Sequence, residues 1–126
     1  MSIEFREIRW GEIDEVVTFA AAQGAAVERD TLCHTLSLQA RNSGGETLGV
    51  ALHHVDDAGC RHVAVCCGGA VHIGLNRLLL DRALRKAEAD GHAITHVSLG
   101  GDADEPTWSG ADWLARLRTV SPPPAA

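Results

Sequence analysis

Between Leu75 and Gly91 the sequence repeats with the period of one helix face. Leu75, Leu79, Ala83 and Ala87 recur every four residues, with Leu80 and Leu84 beside them. Arg77, Asp81, Arg82, Arg85, Lys86 and Glu88 fall on the wet side. The spacing predicts a helix from about Ile73 to Asp90, stopped by Gly91. Its neighbours constrain the fold further. Arg61–Cys67 reads as a strand with Val63 and Val65 inward, ending at Gly68-Gly69, and Ala93–Leu99 reads as an apolar strand. A helix between two such strands is a βαβ crossover, and the two strands then lie parallel in one sheet.

The chain before this unit reads as an antiparallel meander. Residues 3–9 form a first strand, with Ile3, Phe5 and Ile8 as its apolar points. Ile13, Val16, Val17 and Ala20 are spaced for a helix over 12–23, with acidic residues in its first turn and Gly24 at its end. A second short helix is expected over 26–33. Leu36, Leu38 and Ala40 alternate with Thr35, Ser37, Gln39 and Arg41, the pattern of a half-buried strand. Asn42-Ser43-Gly44-Gly45 is turn chemistry, so Thr47–Val55 is the partner strand of a hairpin. Asp56-Asp57-Ala58-Gly59 turns the chain again into Arg61–Cys67. Beyond Leu99 a loop over 100–110, a short helix over 111–118 and a disordered Pro-rich tail over 121–126 are expected. The fold class is therefore α/β: one domain over 1–120, a mixed sheet with helices on both faces.

Composition narrows the function. The chain has 126 residues, enough for one core. Eleven basic against 17 acidic residues give a net charge of −6, which argues against a nucleic-acid partner. No run approaches the roughly 20 apolar residues of a membrane helix. The charged start Met1-Ser2-Ile3-Glu4-Phe5-Arg6-Glu7 lacks a signal region, so a cytoplasmic protein is expected. Cys33, Cys60, Cys66 and Cys67 are then expected as thiols, with Cys66 and Cys67 on opposite faces of their strand.

This element order resembles the GNAT superfamily of acyl-CoA N-acyltransferases. Gly74, Leu75, Asn76, Arg77, Leu78, Leu79 and Leu80, then Ala87 and Gly91, keep the spacing of that family's cofactor helix. Gly45-Glu46-Thr47-Leu48-Gly49-Val50-Ala51 is similar to its turn and third strand. The resemblance covers roughly residues 3–118. It implies acetyl-CoA or another acyl-CoA as cofactor and an amine of a small molecule or peptide as acceptor. The family loop runs Gln/Arg-x-x-Gly-x-Gly/Ala. Here Gly74 matches the first glycine, Val71 stands at the Gln/Arg position and Asn76 at the Gly/Ala position. The implied cofactor residues are Val71, His72, Ile73, Gly74, Leu75, Asn76 and Arg77 at the pyrophosphate, where helix N–H groups meet negative charge. Val65 and Cys66 would pair main chain with the pantetheine arm. The family's general acid is often a Tyr on its fourth helix. This chain has no Tyr, and Ala115 falls at that position. The family's last hairpin shrinks to Thr119-Val120, leaving a sheet edge on which a homodimer could pair. A second reading follows: a GNAT-like module without catalysis, used for binding or dimerisation.

The histidines supply base candidates. His54 on Thr47–Val55 and His62 on Arg61–Cys67 could face a central cleft as a general base, although such histidines are more often surface or core residues with satisfied nitrogens. No metal site is expected. His53-His54, Cys60-x-His62 and Cys66-Cys67 lack zinc-ligand spacing, and His92 and His96, four apart at a strand start, do not converge. Cys66 and Cys67 have no base near them in sequence to make a nucleophile. Trp108 and Trp113 read as packing of the last helix.

Overall fold

The computed structural model describes residues 3–68 and 74–99. Five strands and two helices follow one another as β1 (Ile3–Glu7), α1 (Ile13–Ala22), β2 (Leu38–Asn42), β3 (Thr47–Val55), β4 (Arg61–Cys67), α2 (Leu75–Ala89) and β5 (His96–Leu99). The sheet order is β1-β2-β3-β4-β5. Neighbours from β1 to β4 are antiparallel, and β5 lies parallel to β4, from His62↔His96 to Val65↔Leu99. The meander and crossover expected from periodicity are both present. The expected helix at 111–118, with Ala115, Trp108 and Trp113 around it, and the tail lie outside the described residues.

Two apolar layers hold the helices to opposite faces of the sheet. Leu75, Leu79, Leu80, Ala83, Leu84 and Ala87 bring α2 onto Leu38, Ala40, Ala51, Val63, Val65 and Val97. Ile13, Val16 and Ala20 bring α1 onto Val50, Leu52, Ala64 and Cys66. A fully buried leucine contributes about 1.5–3 kcal/mol, so the four buried leucines of α2 dominate its attachment. Close approach depends on Gly49. A Cβ there would lie 2.7 Å from Cys67 Sγ and 2.9 Å from Leu79 Cδ1. Both helices end as expected, with Gly24 at φ 90° and Gly91 at φ 80°.

Two elements differ from the sequence reading. The expected helix over 26–33 is a single 3-10 turn, Arg29–Thr31, after which Leu32 bridges to His54 of β3. Acceptors for this segment come from the sheet, since Cys33 N–H donates to His53 O at 2.8 Å. Strand β2 begins at Leu38 rather than Thr35, because His34–Leu36 form another 3-10 turn. It is also buried on both faces: Ser37 and Gln39 are as enclosed as Leu38 and Ala40. Their polar groups are satisfied. Ser37 Oγ accepts from His53 N at 2.8 Å, and Gln39 Nε2 donates to Glu12 Oε1 at 3.1 Å.

Candidate functional site

The C-terminal end of β4 and the start of α2 meet at the edge of the sheet that the crossover creates. Main-chain direction on β4 follows from two bonds. Gly68 N–H donates to Leu48 O across to β3, and Thr95 N–H donates to Arg61 O from the β5 side. Main-chain groups alternate along a strand, so even-numbered residues of β4 face β3 and odd-numbered ones face β5. Cys66 therefore turns its main chain to Val50 of β3. Val65 faces β5, where Leu99 is its register partner. Cys67 faces the same side one step past that last described pair. The main chain of Cys67, not that of Cys66, therefore faces the β5 side.

Gly74 caps α2 in an ordinary right-handed conformation, φ −79° and ψ −15°. Among the described residues, nothing lies within 4 Å of where a Cβ on it would be. Its backbone conformation is one that any residue adopts. The first N–H groups of α2, at Leu75, Asn76 and Arg77, lie ahead of the helix's own acceptors. Leu75 is buried, so its part in the site is its N–H alone; Arg77 is exposed. Asn76 Oδ1 is shielded from water without a hydrogen-bond partner among the described residues. Leu78 is 50% exposed. Val71, His72 and Ile73 lie outside the described residues.

The thiols beside this edge are poor nucleophiles. Burial pushes Cys66 up to about 11, with Cys67 adding to it, and burial pushes Cys67 up to about 11. Their side chains go to opposite faces, Cys66 into the α1 layer and Cys67 against the α2 layer. All four cysteines are free thiols.

The two base candidates come together, but at the other end of β4. His54 and His62 are register partners with rings stacked 5.0 Å apart, and His62 stacks on His96 of β5 at 4.6 Å. His62 Nε2 lies 2.8 Å from Asp56 Oδ2. Burial first, and His62 second, hold His54 below the usual imidazole range, while Asp56 works the other way. His62 shares a sheet face with Cys66 but lies four residues earlier, about 13 Å at strand rise. His54 and His62, the expected pair, do share one face, whereas the sequence pairs His96 with His92. The turn over 56–60 already sets residue 54 opposite 62; the place of His96 depends on crossover length and is not local. Parallel stacked rings do not converge on one point, and no group of three His, Cys, Asp or Glu among the described residues could hold a metal ion. His92 and His96, four apart in sequence, go to different partners, His92 to His53 and His96 to His62. No helix among the described residues is long and apolar enough to cross a membrane.

An antiparallel meander continued by one parallel crossover, with a helix starting beside the end of β4, defines a mixed-sheet α/β class. Within that class the chain has the GNAT N-acyltransferase fold. A Pyrococcus furiosus protein described as a candidate acetyl transferase superposes with a TM-score of 0.53 at 13% identity, over 99% of this chain and 95% of its own. A GNAT-family acetyltransferase from Staphylococcus aureus superposes at 0.50 and 16% identity, over 79% of this chain and 72% of its own. The glucosamine N-acetyltransferase region of a fungal multi-domain β-N-acetylglucosaminidase aligns at 18% identity over 82% of this chain, which spans 14% of that protein. Its TM-score of 0.49 is too low to carry weight. At these identities the likeness shows fold and not activity. No protein-family model matches the chain, and no curated protein matches its sequence.

Proposed function

We propose that the chain binds acetyl-CoA or another acyl-CoA at the junction of β4 and α2 and transfers the acyl group to an amine. The observation that carries this reading is Gly74. Gly74, in a backbone conformation that does not demand glycine, stands at the start of a 15-residue helix, and among the described residues nothing lies within 4 Å of where its Cβ would be. A side chain there would enter the volume a pyrophosphate needs, while the N–H groups of Leu75, Asn76 and Arg77 and the Arg77 charge favour an anion. Val71, His72 and Ile73 would complete the cradle. The main chain of Cys67, with Val65 behind it, would meet the pantetheine arm. With both thiols held protonated, neither cysteine would take up the acyl group. A bound acyl-CoA would give it to the amine directly, the C–N bond forming as the C–S bond breaks, the amine proton passing to water and the thiolate leaving on CoA. His54 and His62 stand too far back along β4 to take the amine proton without a chain of waters. Reduced thiols and an acyl-CoA cofactor fit a cytoplasmic protein.

A second reading is favoured by one observation: the chain has no Tyr to protonate the leaving thiolate. It is a GNAT-like module that binds a ligand or a second copy of itself without catalysis. Thermal unfolding with acetyl-CoA tests the first reading. A ligand at 100 times its dissociation constant stabilises the native state by about 2.7 kcal/mol. A rise in melting temperature, abolished by Gly74→Glu, supports the site, and no rise in millimolar acetyl-CoA or CoA refutes it. A rise without acyl loss over a panel of amines selects the second reading.

A further inference from the structure

Three imidazoles stand in a row across the sheet. His54 of β3 is the register partner of His62 of β4, which is the register partner of His96 of β5. The rings are nearly parallel, 15° apart for the first pair and 12° for the second. With Ser98 they line a groove of about 300 Å³, and His96 is exposed to water. Uncharged rings pack well in such a stack, whereas protonated neighbours repel one another across the same gap.

Little charge is present to offset that repulsion. The β3–β4 turn brings Asp56 to His62, and Asp57 beside it is exposed. On β5, the Thr95 hydroxyl lies 3.0 Å from His96 Nδ1. Apolar Leu32 bridges to His54, and the charges before it, Glu28, Arg29 and Asp30, are exposed, Arg29 pairing with Asp14. On β3 and β4, His53 and Arg61 belong to the opposite sheet face with His92 and Asp90. Among the described residues, one carboxylate therefore serves three rings. Among the described residues, four register pairs join β5, the strand at the end of this row, to β4.

We propose that the His54–His62–His96 row is an acid-responsive latch that seats β5 on β4, closed while the rings are uncharged and released as they take up protons. The direction is consistent with His54, whose proton affinity is depressed by burial and by His62. A histidine depressed in the folded state lends stability above its unfolded range, and that stability is lost as pH falls. The latch does not depend on acyl-CoA binding.

Amide hydrogen exchange tests it. Protection of those β5 amides that bond to β4 is compared at pH 7.5 and 5.5, after correction for intrinsic rates, with β2 amides as internal reference. In the wild type, β5 protection should fall severalfold relative to β2 as the row takes up charge. His96→Gln, at an exposed position, should lose less than about threefold, because only the His54–His62 pair remains to be charged. His54→Gln leaves the other pair and should fall between. An equal fall in the wild type and both variants, or no fall in the wild type, overturns the latch.

Discussion

Arg61 Nη1 lies 3.0 Å from His53 Nε2, so the arginine donates and the imidazole nitrogen accepts. That bond requires His53 to be neutral, with its hydrogen on Nδ1, which finds no partner among the described residues. Burial first, and the Arg61 charge second, push His53 down to about 4. Because the folded value lies below the unfolded one, His53 lends stability above about pH 6.5 that is lost as pH falls toward 4. Between pH 7.5 and 5 the loss should be about 2 kcal/mol. His53→Gln keeps an acceptor for Arg61 but takes up no proton. Urea unfolding at the two pH values should show that loss in the wild type and most of it gone in the variant.

Gly49 should tolerate no side chain. A Cβ would strike Cys67 Sγ, Leu79 Cδ1 and, at 3.2 Å, the Cys66 carbonyl. Gly49→Ala must push α2 away from β3 or distort β4, at about 1–3 kcal/mol. Cys67→Ala removes the nearest of the three atoms. In a double-mutant cycle by chemical denaturation, the pair should cost less than the sum of the singles. Additive costs would mean that the backbone contact, not the sulfur, decides.

What could be read from the chain was what is local. The α2 repeat, the glycines that close both helices and the two meander turns carry their signals within a few residues. What escaped depended on distant partners. Ser37 and Gln39 alternate with apolar residues and so look solvated. They are buried because distant groups supply their bonds, Glu12 to Gln39, and Cys33 and His53 to Ser37. The segment 26–33 has helical composition, but Cys33 finds its acceptor on β3. At the site, Gly74 was legible as a motif position, whereas the direction of β4's main chain, with Cys66 turned to β3 and Cys67 to the β5 side, depends on the pairing of strands.

Glu12 joins three elements. Its carboxylate accepts from Arg6 of β1, from Gln39 and Arg41 of β2, and from Arg9 N–H. Burial alone would raise its pKa, but the Arg9 N–H, Arg6, Gln39 and Arg41 together hold it below the usual carboxylate range. A depressed carboxylate lends stability above its unfolded value, lost as pH falls below about 4.5. Glu12→Ala leaves two half-buried guanidinium groups without their counter-charge and should cost about 2–4 kcal/mol at pH 7. Glu12→Gln, which keeps shape and some acceptors, should cost less. Denaturation midpoints at pH 7 rank the three proteins.

Gly74→Ala separates the site from the fold. At φ −79° alanine adopts the native backbone without strain, and its Cβ meets no atom of the described residues within 4 Å. Replacing glycine in such a place restricts the unfolded chain and should raise stability by up to about 1 kcal/mol. If the start of α2 receives a pyrophosphate, the same methyl should weaken acetyl-CoA binding, because the ligand and the Cβ compete for one volume. A structural glycine would behave the other way, losing stability on substitution. Melting temperature and acetyl-CoA affinity, measured on the one variant by calorimetry, should therefore move in opposite senses. An unchanged affinity would place the ligand away from Gly74 even if acetyl-CoA binds.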